Sequence, residues 1–207
     1  YRITIARFLG PDAYGQLSLG LMVVGLASTI SMLAFNSGLK KFIPEYRVRD
    51  EDAKIKGIVL SAIHITVPLS LMMSLLVFIG ANYIATGLFD SPELVPILKI
   101  MSGVPFLGTV AGIFLNTTVG FDKIIYRSFT NKIAKNVIQL TATVILLVLG
   151  FNLASAAWGY LIGTATTAIL GLYYLEKKVG PVITADVKPN YRHKEILKFS
   201  SPLLISG

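Results

Sequence analysis

The sequence contains no cysteine and only two histidines among its 207 residues. The absence of cysteine excludes a disulfide framework and any thiolate metal site. The histidines, His64 and His193, are 129 positions apart, and the long apolar runs of the chain contain no carboxylate. General acid–base and nucleophilic catalysis need such groups close together. We therefore expect no enzyme, no metal site and no cofactor.

Charge is also scarce, because charged residues make up 14% of the chain and hydrophobic residues 54%. The mean hydropathy is +0.69, which is typical of an integral membrane protein. The 27 residues between Asp12 and Lys40 carry no charge. At a rise of about 1.5 Å per residue they exceed the ~30 Å hydrocarbon core of a bilayer. The sequence predicts an all-α integral membrane protein, a polytopic helical bundle.

Charged loops, glycines and prolines divide the chain into spans, and Gly10-Pro11 is a strong helix stop. The chain opens on Tyr-Arg-Ile and closes inside an apolar run, so we expect a piece of a longer protein. The basic stretch from residue 39 to 56 is interpreted as a short interfacial helix or loop. We predict a lobe over residues 1–194 and the start of a seventh span over 195–207, with spans at about 1–9 (partial), 14–38, 57–81, 97–120, 133–150 and 153–175.

The positive charges are unevenly distributed over the predicted loops. Sixteen of the nineteen lysines and arginines lie in three segments, residues 40–56, 122–135 and 176–198. An alternating topology places all three on one side, and cytoplasmic loops collect such residues. We therefore expect a multi-pass protein of the cytoplasmic membrane. Because topology accounts for the net charge of +8, a nucleic-acid partner is not expected.

Cations near the helix ends are the candidate substrate-binding residues. Arg2 lies about 7 to 8 Å deeper than Arg7 in the first helix, and such depth is costly unless the side chain faces a wet cavity or a partner. Arg7 has the alternatives of reaching the interface or pairing with Asp12. Lys40 and Lys41 end the second span, where membrane anchoring is the alternative.

Polar and small residues inside the spans predict helix contacts. Asn36, Asn116 and Gln139 are expected to hydrogen-bond across helices, and Asn36 is added to the candidate substrate-binding residues. Small residues four apart let helices approach closely. Two such GxxxG pairs are present, Gly108 with Gly112 and Gly159 with Gly163.

Three motifs resemble one family. The stretches IARFLGPDAYG at residues 5–15, KKFIPEYR at 40–47 and ILKFSSPLLISG at 196–207 are similar to polysaccharide flippases of the multidrug/oligosaccharidyl-lipid/polysaccharide exporter superfamily. The resemblance implies the N-terminal six-helix lobe of a two-lobe transporter, plus the start of helix 7. It also implies a V-shaped cavity and alternating access that carries an isoprenoid-pyrophosphate-linked oligosaccharide outward for cell-surface polysaccharide synthesis.

The resemblance also bears on the candidate residues. Arg7, Lys40 and Lys41 match basic residues of the related flippases for lipid-linked peptidoglycan precursors, whereas Arg2 is displaced by about one position. The implied partners are the lipid-linked saccharide and membrane lipids, with polysaccharide polymerases or glycosyltransferases as further contacts. Two alternatives stay open: a multidrug or cation exporter of the same superfamily, which would want acidic residues in the cavity, and a membrane scaffold without transport.

Overall fold

A computed structural model describes the backbone of residues 2–32 and 35–206 and the side chains of residues 10–32 and 35–200. Within these ranges the chain is helical and contains no strand, so the predicted all-α class is confirmed. Short π-helical turns follow α3 and α8 and join α6 to α7, at Tyr83–Leu88, Leu175–Val179 and Thr130–Ala134. The α-helices are α1 (Arg2–Met32), α2 (Phe35–Val48), α3 (Asp52–Asn82), α4 (Leu94–Met101), α5 (Val104–Gly120), α6 (Ile124–Phe129), α7 (Lys135–Val148), α8 (Ala154–Tyr174) and α9 (His193–Ser206).

The helix α1 is kinked at Gly10, where the backbone has φ 87° and ψ 168°. Glycine adopts such a positive φ without the steric cost that other residues bear. Pro11 follows directly, and proline suits the first turn of a helix because it has no N–H to leave unpaired. Two helical segments thus meet at Gly10 within α1, which confirms the helix stop predicted at Gly10-Pro11.

Three helical stretches of the described residues are long and apolar enough to cross a membrane: Gly10–Met32, Asp52–Leu88 and Leu94–Gly120. Large apolar side chains on the first two stretches are exposed, including Leu26, Leu75 and Ile79. Such faces suit contact with lipid acyl chains. The helices α7 and α8 lie outside this set, and the lobe boundary between residues 194 and 195 remains a prediction.

Close packing of α7 against α8 depends on glycine. A side chain at Gly159 would overlap the Thr143 hydroxyl, and one at Gly163 would lie 3.0 Å from the Gln139 Cβ. Small residues allow this approach of two helix backbones in a membrane. The predicted packing role of this GxxxG pair is therefore confirmed.

The three basic segments meet at one end of the bundle. Arg47 of α2 forms an ion pair of 3.1 Å with Asp122, which follows α5. The backbone N–H of Asn190 donates to the Ala53 carbonyl at 2.8 Å, and Lys56 Nζ donates to the Ala185 carbonyl at 2.6 Å. Segment 180–192, which connects α8 to α9, is thus fastened to the first turns of α3.

The stretch interpreted as interfacial is part of the bundle interior. Phe42, Ile43 and Tyr46 of α2 are at most 7% exposed and belong to a core cluster with residues of α3, α5 and α9. Charges interleaved with apolar residues describe an amphipathic helix, but they do not say whether protein or membrane covers its apolar face. Here protein does.

Candidate substrate-binding pocket

A polar cavity of about 210 Å³ lies between α2, α5, α8 and the chain from α6 to α7. We call it the polar pocket. Polar and small side chains dominate its walls, and no lining residue is acidic. The lining residues are Asn36, Gly108, Ala111, Gly112, Leu115, Asn116, Arg127, Asn131, Lys135, Thr164 and Thr167.

Two asparagines join α2 to α5 at this pocket. Asn116 Nδ2 donates one hydrogen bond to Asn36 Oδ1 and a second, of 2.7 Å, to the Gly112 carbonyl. A carbonyl can only accept, so the amide nitrogen must face Gly112. The hydrogen bond predicted across the helices is confirmed for Asn36 and Asn116. Asn116 Oδ1 is buried and has no hydrogen-bond partner among the described residues.

One wall of the pocket carries two cations, Arg127 and Lys135, with Asn131 between them. These residues are four positions apart. In an α-helix, side chains at that spacing point in directions that differ by about 40° around the helix axis, and this drift accumulates with each step. The π-helical turn Thr130–Ala134 takes in more residues per turn, which reduces the drift. Lys135 Nζ lies 4.5 Å from the Tyr160 ring centre. Neither cation forms an ion pair with another described side chain.

The opposite wall belongs to α8. Thr164 and Thr167 are each 4% exposed, and their Oγ1 atoms donate to the carbonyls of Tyr160 and Gly163 at 2.9 and 2.8 Å. Each hydroxyl has its proton engaged while its oxygen can still accept. The pocket thus combines positive charge with hydrogen-bond acceptors.

The candidate residues predicted from the sequence do not all lie at the polar pocket. Asn36 lines the polar pocket, whereas Lys40 and Lys41 are exposed on α2 and lie outside its lining. Lys41 Nζ lies 4.1 Å from the ring centre of Phe199 on α9, a cation–π contact. The side chains of Arg2 and Arg7 are outside the described residues.

Sequence reasoning missed Arg127, Asn116 and Lys135 as site residues. The sequence places the two cations in a basic loop and predicts only a helix contact for Asn116. The signal that could have found them is the spacing of Arg127, Asn131 and Lys135 at four-residue intervals into an uncharged run.

Comparison with known proteins agrees with the three motifs. The model of a family described as "Polysaccharide biosynthesis protein" matches residues 1–207. The chain belongs to this family. Among curated proteins, it is similar to stage V sporulation protein B of Bacillus subtilis (strain 168), with 25% identity over 177 residues. That alignment covers 84% of this chain and 34% of the relative, so the chain spans about a third of that protein's length. No solved structure gives a significant match.

Membership of the polysaccharide biosynthesis family confirms the resemblance predicted from the motifs. Together with the three apolar helical stretches, it makes this chain a helical membrane protein of polysaccharide biosynthesis. Its polar pocket is the candidate site for that role.

A second cavity in this family member has the opposite character. It measures about 330 Å³ and lies between α1, the end of α3 and the π-helical turn that follows α3. We call it the apolar groove. Its lining consists entirely of apolar residues, namely Met22, Val23, Leu26, Ala27, Ile30, Met73, Leu76, Val77, Ile84, Leu88 and Phe89.

The two histidines lie together at the basic end, despite their separation in sequence. The His64 ring of α3 is stacked 5.5 Å from Tyr191 and 6.0 Å from His193, measured between ring centres. Tyr191 also stacks on His193 at 5.3 Å. This aromatic stack helps to fix the start of α9 on α3, and none of its members lines the polar pocket.

Proposed function

We propose that the chain is part of a flippase that moves an isoprenoid-pyrophosphate-linked oligosaccharide across the cytoplasmic membrane by alternating access. It acts as a transporter and not as an enzyme. Residues 1–194 form the N-terminal lobe, and the second lobe begins with the seventh span at residue 195. Family membership supports the polysaccharide part of this proposal.

The observation that carries the proposal is a polar pocket that holds two cations and no acidic residue. A pyrophosphate head cannot enter hydrocarbon without compensation for its lost hydration. Arginine and lysine supply charge-assisted hydrogen bonds that replace this hydration. The lipid tail can remain in the bilayer during the crossing.

The cations of the first two helices extend this positive surface. Arg2, Arg7, Lys40 and Lys41 are proposed to face the cavity between the lobes and to contact the pyrophosphate. Lys40 is exposed and has no ion pair within the described part of the chain, which leaves its charge available. Polysaccharide polymerases or glycosyltransferases are proposed as neighbours that supply or take up the glycan.

The membrane potential would assist outward movement. Each elementary charge is worth about 2.3 kcal/mol per 100 mV, so an inside-negative potential favours an anionic head moving out. After the substrate has left, the positive charge of the empty cavity is attracted back toward the negative inner side of the membrane. Transport in vesicles should therefore rise with an imposed inside-negative potential, and indifference to the potential would refute this coupling.

The main alternative, a multidrug or cation exporter, would need carboxylates to attract its substrate, and the lining of the polar pocket contains none. A scaffold without transport would not need free cations beside a cavity. Neither alternative has a specific observation in its favour.

The test is glycan export in cells that depend on the full-length protein. Arg7→Ala and Arg2→Ala should each abolish export while membrane insertion stays intact. Lys99→Ala is the matched control, because Lys99 is an exposed cation that does not line the polar pocket. Normal export by both arginine variants would remove the proposed role of these cations.

A further inference from the structure

We propose that an exposed surface, formed by the start of α6 and the end of α8, binds an anionic phospholipid of the inner leaflet. Its lysines bind the lipid phosphate, and its tyrosines lie at the level of the glycerol backbone. The surface lies at the basic end of the bundle, which the distribution of lysine and arginine predicts to be cytoplasmic. None of its residues lines the polar pocket. We call it the aromatic–basic face and define it by Lys123, Tyr126, Tyr173, Tyr174, Lys177 and Lys178.

A stack of tyrosines joins the two helices at this face. The rings of Tyr126 on α6 and Tyr174 on α8 lie 4.7 Å apart between their centres, and their planes are inclined by 16°. Tyr173 is exposed and meets Tyr174 edge to face at 5.6 Å. Tyrosine is enriched at membrane–water interfaces, because its ring is apolar while its hydroxyl can stay hydrated. The stack therefore fits the level of the lipid headgroups.

Exposed apolar side chains lie on the bilayer side of the stack. The helix α6 starts at the basic end and continues into α7, so Phe129 lies about one turn deeper than Tyr126. The helix α8 returns to the basic end after a short turn, which places Ile169 about one turn deeper than Tyr173. Both apolar side chains are exposed. They offer the acyl chains of a lipid an apolar contact directly below the tyrosines.

Lysines lie on the other side of the stack, toward the basic end. Lys123 comes three positions before Tyr126, and Lys177 and Lys178 come three and four positions after Tyr174. At these spacings side chains on one helix are neighbours, about one turn apart. All three lysines are exposed, and none forms an ion pair with another described side chain. Their charges are therefore available to a ligand.

The carboxylates next to these lysines in the sequence already have partners. Asp122 forms its ion pair with Arg47 at 3.1 Å. Glu176 accepts hydrogen bonds from the Ile183 N–H at 2.8 Å and from the Thr184 hydroxyl at 2.5 Å. The protein thus leaves the lysines without a nearby free carboxylate, and an anionic phosphate complements them. A zwitterionic headgroup brings a positive charge of its own and fits less well.

The face has the same layered order as a phospholipid. From the basic end inward it presents lysines, then tyrosines, then exposed apolar side chains, which match phosphate, glycerol backbone and acyl chains. Anionic lipids make the cytoplasmic leaflet negative and attract lysines close to its surface. A lipid bound here contacts α6 and α8 together and holds their ends in place. Because Arg127 follows Tyr126, the lipid also steadies the part of α6 that lines the polar pocket.

Native mass spectrometry of the purified full-length protein in detergent tests the proposal by counting bound lipids over a titration. The two probes are dioleoylphosphatidylglycerol and dioleoylphosphatidylcholine, which share their acyl chains and differ in headgroup charge. The variants are Lys123→Ala, Lys178→Ala and Tyr174→Leu. Lys188→Ala is the matched control, because Lys188 is an exposed lysine of segment 180–192 and lies outside the aromatic–basic face.

We expect the wild-type protein to bind phosphatidylglycerol more tightly than phosphatidylcholine, by roughly 10- to 100-fold. Lys123→Ala and Lys178→Ala should each weaken the binding of phosphatidylglycerol by roughly 5-fold and leave that of phosphatidylcholine unchanged. Tyr174→Leu removes the ring stack between the helices and should weaken phosphatidylglycerol by roughly 2- to 10-fold. Lys188→Ala should change neither affinity.

Three results would overturn the proposal. Equal affinity for the two lipids would mean that the face makes only general contact with the bilayer. Equal losses with Lys188→Ala and Lys123→Ala would mean that the whole basic end attracts anionic lipid without a site. A dimer that Tyr174→Leu converts to a monomer would assign the face to a second copy of the chain. Lys123 and Lys178 are exposed, so their variants keep the test decisive even if Tyr174→Leu does not fold.

Discussion

The polar pocket and the apolar groove lie in the same bundle and place opposite demands on a ligand. The groove is the larger, at about 330 Å³ against about 210 Å³, yet its apolar walls can be covered by lipid or left dry. The pocket contains two cations that form no ion pair among the described residues, and their charge favours a polar ligand. The comparison teaches that unpaired charge, and not volume, singles out the polar pocket as the candidate site.

The largest effect is expected from one acidic substitution placed in each cavity. Val77 lines the groove and Thr167 lines the pocket, and they are 5% and 4% exposed. Val77→Asp should lower insertion and stability by about 2.5 to 3.5 kcal/mol, the cost of a charged residue at the centre of a membrane helix. Thr167→Asp should cost less, because Arg127 and Lys135 line the same cavity. Protein yield in membranes and thermal unfolding in detergent measure both.

Anion binding completes this comparison. Thr167→Asp should fold but lose its affinity for pyrophosphate, because the new carboxylate competes for the two cations. Equal destabilisation by the two substitutions would contradict the difference claimed between the cavities.

The second effect concerns the close packing of α7 against α8, the helices that carry Lys135 and Thr164 of the polar pocket. Gly159→Ala places a methyl group against the Thr143 hydroxyl and 2.9 Å from the Gln139 carbonyl. Overpacking of this kind typically costs about 1 to 3 kcal/mol. We expect a corresponding loss in the free energy of unfolding, measured by denaturant titration.

Gly25→Ala is the matched control for this effect, because a methyl group at Gly25 in α1 meets no atom within 4 Å. It should be neutral, or stabilising by up to about 1 kcal/mol from better helix propensity. Similar losses for the two alanine variants would contradict the close packing of α7 against α8 at Gly159.

The smallest effect concerns Tyr46, whose hydroxyl is buried at the basic end of the bundle and does not line the polar pocket. Burial, together with the nearby Glu195 carboxylate, raises the pKa of Tyr46, which lies outside the three apolar stretches. A raised pKa stabilises the fold below the unfolded pKa of 10.0, and this contribution falls as the pH rises further.

Tyr46→Phe should remove this alkaline dependence. Its stability relative to wild type should stay level below pH 10 and rise above it, by at most about 1.4 kcal/mol per pH unit. The intrinsic fluorescence of Trp158 reports the melting temperature at each pH. Parallel profiles for the two proteins would show that Tyr46 ionises with its ordinary pKa in the fold.

Much of the fold was predictable because it depends on local chemistry. Gly10-Pro11 breaks a helix through backbone sterics, and Gly159 with Gly163 packs closely because glycine has no side chain. The bond between Asn36 and Asn116 was predictable since buried amides need partners. The lipid-facing surfaces were predictable from the long runs of uncharged residues in the sequence.

The rest depends on long-range contacts that a linear pattern does not encode. In the sequence, Arg127 and Lys135 look like charges of a loop. In the structure they belong to a continuous helical segment, because α6 passes through a π-helical turn into α7. His64 and His193 look unrelated until segment 180–192 brings α9 back to α3. Contacts between residues far apart in sequence fixed these features, because 129 positions separate the two stacked histidines and 80 separate the asparagines that join α2 to α5 at the polar pocket.

The fastening of α9 has a mechanical consequence. Its first turns are held on α3, where Ser61 Oγ accepts from the Arg192 N–H at 2.9 Å, and on α2, through Lys41 and Phe199. Pro202 follows within the same helix and removes one backbone hydrogen bond, which makes bending easier there. If the chain after Pro202 moves relative to the bundle, we expect α9 to bend near Pro202, because its first two turns are held on α2 and α3.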